Sequence, residues 1–279
     1  MKLAGLLMLS CLLLCAQARA QQSVDEEDLV EVSYIYAAIM GSGTFKINGR
    51  RVTTLNIPFY FTQREMTQEQ AGIVWHAPVV LGYDAVSEHD WLGELLDDDL
   101  MTLSLLPGVE YQMQIDDTWA IKPFAHLGVT QDFSSGETII MGTLGVRALG
   151  TFIREDGWEI RWGNAVRLAA EYQLDSHHRT SFGMWETGLD IRRDTPFLLA
   201  ERRVDGGVYY RYQHFVPEWD IDRLRPRESD LGSVHEVGIS MGLKRPFEIM
   251  RIDFDRVRVG YNWGSGSLRG WSVGTEFPF

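Results

Sequence analysis

Apolar and polar residues alternate along most of this chain with a period of two. The clearest segment begins at Trp158, where apolar side chains occupy every second position as far as Ala170 except at Asn164, and charged side chains stand at several positions between them. This pattern is typical of a β-strand with one apolar face and one polar face. Similar segments recur towards the C-terminus, and turn signals such as Asp116-Asp117 and Asp156-Gly157 separate them. The pattern predicts about twelve strands.

The alternation is weaker in three places. A first strand is predicted from Val30, Val32, Tyr34 and Tyr36, and Pro58 weakens the second strand because proline donates no backbone hydrogen bond. In residues 87–99 the apolar side chains are spaced for one helical face, which predicts either a surface loop with a helical turn or a loop folded into a barrel mouth.

Further turns are predicted at Asn48-Gly49, Arg193–Pro196 and Lys244–Pro246, and a bulge or kink at Asp205–Gly207.

The first twenty residues have the features of a cleaved export signal. Lys2 gives a basic start, residues 3–16 form an apolar run too short to span a bilayer comfortably, and residues 18–20 offer a small-x-small cleavage pattern. An uncleaved anchor would require a longer run, and the residues before Cys11 and Cys15 fit a lipoprotein signal poorly. The predicted organisation is a signal peptide in 1–20, a short acidic segment in 21–29 and one β-domain in 30–279.

Charge and cysteine content narrow the class of protein. Removing the signal segment lowers the 26 basic residues to 24 against 39 acidic ones, so the net charge changes from −13 to −15 and nucleic acid is not an expected partner. Both cysteines leave with the signal, so a disulfide framework or a cysteine metal site is not expected. An exported, acidic, cysteine-free chain suits the periplasm or outer membrane of a Gram-negative cell.

The apolar runs after residue 20 are too short for a membrane-spanning helix of about 18 residues. A chain of this kind can cross a membrane only as a closed barrel, because only closure satisfies every backbone hydrogen bond. The expected fold class is therefore all-β, a transmembrane antiparallel up-and-down β-barrel. Short turns and longer loops are expected at its opposite ends.

The last strand carries a recognisable spacing. Ser272, Gly274, Phe277 and Phe279 fill the pattern polar-x-Gly-x-x-aromatic-x-aromatic, although an ordinary edge strand could also end in this way. The pattern resembles the C-terminal assembly signal of bacterial outer-membrane barrels. That resemblance implies that the barrel-assembly machinery reads this strand, and that outer-membrane lipids and lipopolysaccharide surround the barrel.

With about twelve strands and the terminal sequence SVGTEFPF, the chain resembles the translocator barrel of autotransporters. Autotransporters carry a large passenger and a lumen-threading helix before the barrel, whereas only about ten mature residues are predicted here before the first strand. The chain therefore resembles the solitary, passenger-less autotransporter-like β-barrel family of proteobacteria. The resemblance implies residence in the cell outer membrane and no defined activity.

If the apolar faces point to lipid, the alternate polar positions point into the barrel. Their mixed charges on neighbouring strands predict either a salt-bridged plug or a narrow aqueous, porin-like pore. The lumen-facing candidates are Glu110, Gln112, Lys122, His126, Arg147, Glu159, Arg161, Arg167, Glu171, Glu186, Asp190 and Arg192.

Two groups of polar loop residues contain the residue types of a hydrolase site, but neither has the spacing of one. His178 and Ser181 lie near Asp175, and His214 lies near Glu218 and Asp220, but polar loop residues are the simpler interpretation of both sets. His177-His178 with Asp175 could bind a metal, although paired loop histidines usually have no such role. Catalysis, cofactors and metals are not predicted.

The sequence favours a passive pore or a structural envelope protein over two alternatives, an outer-membrane enzyme and a surface-loop receptor or adhesin. The segment 87–99 contains six carboxylates, and a ring of these at a barrel mouth would make a pore prefer cations.

Overall fold

Antiparallel strands run through almost the whole of the described chain. The computed structural model describes residues 34–47, 50–85, 101–177, 179–199, 202–217, 219–220, 225–226, 232–249 and 252–275. One helix, α1, spans Tyr34–Met40. The strands are β1 Ser42–Ile47, β2 Arg50–Ile57, β3 Tyr60–Arg64, β4 Gly72–His76, β5 Val79–Ala85, β6 Thr102–Leu105, β7 Gly108–Gln114, β8 Trp119–Asp132, β9 Thr138–Ile153, β10 Trp158–Gln173, β11 Arg179–Leu199, β12 Arg202–Pro217, β13 Trp219–Asp220, β14 Arg225–Pro226, β15 Ser233–Ile249, β16 Ile252–Gly264 and β17 Arg269–Gly274.

The sheet closes on itself into a barrel of twelve strands, as the alternation predicts. Its first and last strands pair antiparallel, with Ser42 opposite Val273 and Lys46 opposite Arg269. The pairs β2–β3, β4–β5 and β6–β7 each occupy one position in the barrel wall, while β13 and β14 form a separate small ladder. Closure joins β1 to both β17 and β2, so fewer backbone groups stay unpaired than in an open sheet, as a barrel in a membrane requires.

Three neighbouring positions of the barrel wall are each interrupted by a proline at the same height along the barrel. Pro58 separates β2 from β3, Pro78 separates β4 from β5, and Pro107 separates β6 from β7. Proline cannot donate to the ladder, so pairing stops and resumes on either side. Single backbone bonds continue across the break, including Leu106 N to Pro78 O at 3.1 Å and Leu127 N to Pro107 O at 3.0 Å.

Side-chain burial is inverted relative to a water-soluble protein. Outward apolar side chains are exposed, such as Leu127 at 66% and Ile239 at 65%, whereas polar residues on the alternate face are buried. This is the arrangement of a barrel whose outer face meets lipid. Among the described residues, none of the helices has the length and apolar character needed to cross a membrane.

Outward aromatic rings gather in two groups. One lies beside the turns at residues 115–118 and 154–157, here called the turn end, where the Trp119 ring is 5.7 Å from that of Trp162. The other lies towards the opposite end, here called the loop end, where the His235 and Trp263 rings stack at 5.3 Å. Rings at both borders of the apolar band are typical of outer-membrane barrels.

The predicted first strand at Tyr34 and Tyr36 is wrong, because these residues belong to α1. Val30 and Val32 lie outside the described residues. Ile35 and Ile39 are four residues apart, which places them on one helical face. The edge that an extra strand would need is already occupied, since β1 pairs with β17 on one side and with β2 on the other.

Two predicted turns are also wrong. Arg193–Pro196 lies within β11, and Lys244–Pro246 lies within β15. The pairing register shifts between Asp194 and Leu198, and again between Gly242 and Phe247. These irregularities accommodate the prolines, because residues looped out of the ladder need not donate a cross-strand bond.

The predicted bulge at Asp205–Gly207 is displaced. That segment pairs continuously within β12, and the shift lies on the facing strand β11. The hairpin at Asp156-Gly157 is present, with Gly157 at a φ of 82°. The predictions for Asn48-Gly49 and for residues 87–99 fall outside the described part of the chain.

Candidate functional site in the barrel lumen

A buried carboxylate, Glu236 of β15, is the centre of the largest polar cluster in the described lumen. It is 1% exposed. One carboxylate oxygen lies 2.5 Å from Arg211 Nη2, and the other lies 2.7 Å from Arg258 Nη1. The hydroxyls of Tyr209 and Ser272 donate to that second oxygen at 2.6 and 2.7 Å. Five strand residues from β12, β15, β16 and β17 are thereby tied together across the inner wall.

A second cluster lies nearer the turn end, on β10 and β11. Arg161 Nε lies 2.5 Å from Glu159, and Arg192 Nε lies 2.5 Å from Asp190. Arg192 also approaches Glu159 at 3.5 Å, which links the two pairs. Opposite charges therefore stand on neighbouring strands, as the alternation predicts.

A third cluster joins β7, β8 and β9. Glu110 is 3.5 Å from Arg147 and 4.0 Å from Lys122, and it accepts a 2.8 Å hydrogen bond from Gln112. The Arg147 guanidinium also lies over the Phe124 ring, 4.6 Å from its centroid. A smaller pair forms between Arg256 and Asp205.

Each sequence-predicted lumen residue is placed on the face opposite the exposed apolar side chains. Five of them are buried, namely Glu110, Glu171, Glu186, Asp190 and Arg192. The other seven are half-buried, namely Gln112, Lys122, His126, Arg147, Glu159, Arg161 and Arg167.

The centre of the main cluster was missed by the sequence reasoning. Glu236, Arg211 and Arg258 are absent from the predicted set, although each stands between outward apolar or aromatic neighbours. Ser272 was assigned to the assembly signal alone, yet its hydroxyl contacts Glu236 and accepts a 3.0 Å bond from Asn262. Gly274 packs beside Arg258, and Phe277 and Phe279 lie outside the described residues.

Helix α1 lies inside the barrel, towards the loop end. Ile35 is fully buried, and its backbone N–H donates to Glu171 Oε2 at 3.1 Å. Apolar side chains that point inward from many strands pack around α1 in one cluster. They include Phe45, Leu106, Ile139, Met141, Phe182, Met184, Phe215, Val234 and Leu268.

A cavity of about 400 Å³ lies between the end of α1 and the inner wall. The residues around it include Arg147, Arg167, Arg211 and Arg258, with Glu186 beside them. His76 and His126 also border it, and their rings meet edge to face at 5.5 Å. His126 further shares a 3.2 Å hydrogen bond with Thr143.

The two loop sets weighed against a hydrolase site lie only partly within the described residues. His177 Nδ1 bonds the Tyr172 hydroxyl at 2.9 Å, and His214 stacks on Tyr212. His178 and Glu218 lie outside the described residues. Within the described ranges, no group of three or more His, Cys, Asp or Glu side chains is arranged to hold a metal ion.

Comparison with known proteins identifies the fold. The chain matches the crystal structure of the β-domain of the Bordetella autotransporter BrkA with a TM-score of 0.52 and 10% identity, over 84% of this chain and 96% of the other. No family model matches the chain, and no curated protein matches it. The fold is therefore that of an autotransporter-like β-barrel, which confirms the expected resemblance at the level of fold.

Proposed function

We propose that this protein is a closed outer-membrane β-barrel with a structural role in the envelope, rather than an open pore. The observation that carries the proposal is the burial of α1 among inward-facing apolar side chains towards the loop end. On the turn-end side of α1, the ion-pair clusters around Glu236 and Glu110 bridge neighbouring strands. Apolar packing at one level and ion pairs at the next favour a filled lumen.

The N-terminal helix makes this proposal testable by conductance. Purified protein reconstituted in a planar bilayer is expected to be silent. The double variant Ile35→Asp/Met40→Asp buries two charges in the apolar cluster, which should expel α1 and give measurable conductance. Ile39→Asp is a graded control, because Ile39 is half-buried whereas Ile35 and Met40 are buried.

Steady conductance by the unaltered protein would contradict the closed barrel. So would silence of a double variant whose circular dichroism and heat-dependent gel mobility show a folded barrel. In either case the fold assignment would stand, since it rests on the strand topology.

A second candidate function is a narrow cation-preferring pore. Its support is the sequence of segment 87–99, where Glu88, Asp90, Glu94, Asp97, Asp98 and Asp99 concentrate negative charge. If this segment folds into the mouth, replacing these residues by Asn and Gln should abolish cation preference in any conducting variant. Anion preference of the unsubstituted, conducting barrel would exclude this candidate.

The membrane partners follow from the same proposal. The exposed apolar band and its aromatic borders suit outer-membrane lipid and lipopolysaccharide. The terminal strand, with Ser272 and Gly274 followed by Phe277 and Phe279, is the segment proposed to engage the barrel-assembly machinery. A cleaved signal in residues 1–20 would deliver the chain to that machinery.

A further inference from the structure

The lumen cavity is lined by more positive than negative charge. Arg147, Arg167, Arg211 and Arg258 border it from β9, β10, β12 and β16. Among the described residues of the lining, Glu186 is the single carboxylate. Four guanidinium groups from different strands therefore meet around one space.

The ion-pair partners of these arginines do not balance them. Glu236 forms ion pairs with both Arg211 and Arg258, at 2.5 and 2.7 Å. Glu110 serves both Arg147 and Lys122, and Glu186 lies 3.6 Å from Arg211. Within this described cluster, four arginines face three carboxylates, which leaves an excess of one positive charge. Buried charge of one sign is costly unless an opposite charge compensates it.

Arg167 carries the clearest part of this excess. In the described part of the chain, no carboxylate oxygen lies within 4 Å of its guanidinium, which instead sits over the Phe124 ring at 5.1 Å. The same ring carries Arg147 at 4.6 Å, so two guanidinium groups share one aromatic partner. A cation–π contact stabilises each of them without neutralising its charge.

Unused hydrogen-bond donors point to the kind of ligand. The Nε atoms of Arg147, Arg167, Arg211 and Arg258 are all buried and have no acceptor among the described residues. Arginine presents its donors as a planar fork that matches the oxygens of phosphate and carboxylate groups. Buried donors of this type are costly unless an acceptor meets them.

We propose that this cavity is a binding site for a small oxyanion of the phosphate class, either inorganic phosphate or a soluble phosphomonoester. Its negative charge offsets the positive excess, and its several oxygens meet the unused donors. A cavity of about 400 Å³ is large enough for such a group. The charged groups all belong to barrel strands, so the site does not depend on α1 keeping the lumen closed.

Calorimetric titration of the purified, detergent-solubilised protein with inorganic phosphate tests the proposal. Saturable binding is expected, together with a rise in the unfolding midpoint that chloride at the same ionic strength does not produce. Arg167→Gln removes the guanidinium that lacks a carboxylate partner and should weaken phosphate binding by about tenfold or more. Glu186→Gln removes a competing negative charge and should strengthen binding.

Arg161→Gln is the matched control. Arg161 belongs to the same strand as Arg167, but its guanidinium pairs with Glu159 at 2.5 Å and does not border the cavity. This variant should bind phosphate within about twofold of the unaltered protein. Each variant is first checked for the heat-dependent gel shift of a folded barrel.

Three results would overturn the site: no saturable binding, equal weakening by Arg161→Gln and Arg167→Gln, or weaker binding by Glu186→Gln. If Arg167→Gln fails to fold, the Glu186→Gln variant still tests the site. Stronger phosphate binding by that variant supports the site, and weaker binding contradicts it. A titration with glycerol phosphate separates the two sources, since tighter binding than inorganic phosphate would identify an ester as the ligand. Whether the protein conducts in a planar bilayer tests the closed barrel. That result does not bear on phosphate binding in the cavity.

Discussion

Glu236 shows how one buried side chain can unite several strands. Two guanidinium groups and two hydroxyls converge on its carboxylate, from β12, β16 and β17. Charge-assisted hydrogen bonds are stronger than neutral ones, and low local polarity strengthens them further. The same setting makes the cluster vulnerable, because losing the carboxylate removes the 2.7 Å partner of Arg258 and leaves Arg211 with Glu186 at 3.6 Å.

Glu236→Gln is therefore expected to lower the free energy of unfolding by about 3 kcal/mol. The midpoint of denaturant unfolding, followed by tryptophan fluorescence in detergent, measures the change. Glu155→Gln is the control, since Glu155 is an exposed carboxylate in the turn between β9 and β10 and should cost less than about 0.5 kcal/mol. Equal stability of the two variants would show that the cluster around Glu236 contributes no net stability.

At the scale of the elements, the junction between β6 and β7 brings a neighbouring backbone close to β8. Gly128 of β8 lies beside the junction of β6 and β7, where a Cβ atom would stand 2.1 Å from the Leu105 carbonyl oxygen and 2.7 Å from Leu106 Cα. Both neighbours are backbone atoms, so a rotamer change cannot relieve the contact. Glycine is required at this position by close approach, and its φ is not in the left-handed region.

Gly128→Ala should accordingly destabilise the barrel by about 2 kcal/mol and lower the folded yield. Gly142→Ala is matched to it, because Gly142 lies in the adjacent strand β9 and its nearest neighbours would be 3.8 Å from an added Cβ. The ratio of heat-shifted to unshifted protein on a gel reports the folded fraction of each. Normal folding of Gly128→Ala would mean that the interrupted strands can separate to admit a methyl group.

Much of the barrel could be predicted from period-two alternation, most securely where both faces of a strand are distinct, as in β10. The sequence failed where length and register are decided by the partner strand. Pro196 and Pro246 look like turn residues, yet they lie within β11 and β15 close to register shifts that only the facing strand reveals. Helix α1 was missed because a short apolar segment fits either period, and its burial depends on side chains distant in sequence.

The candidate site divides in the same way. Clusters with repeated charges on one strand, such as Glu159 with Arg161, were visible as inward-facing sets. Glu236 and Arg211 are single charges within neutral or aromatic stretches, residues 234–243 and 206–217, so local sequence did not distinguish them. Their importance comes from lateral pairing, since Arg211 stands directly opposite Glu236 across two neighbouring strands.

At the scale of the whole molecule, closure through β1 and β17 makes the terminal strand the last requirement of assembly. Deleting Phe279 should lower the amount of protein inserted into the outer membrane, because the residue completes the aromatic-x-aromatic end of the predicted assembly signal. Cell fractionation combined with the heat-dependent gel shift measures insertion at native expression. Phe197→Ala removes an exposed phenyl group on β11, away from the C-terminus, and should insert normally. Normal insertion without Phe279, or equal loss in both variants, would show that the terminal phenylalanine acts as an ordinary apolar residue and that the signal is coincidental.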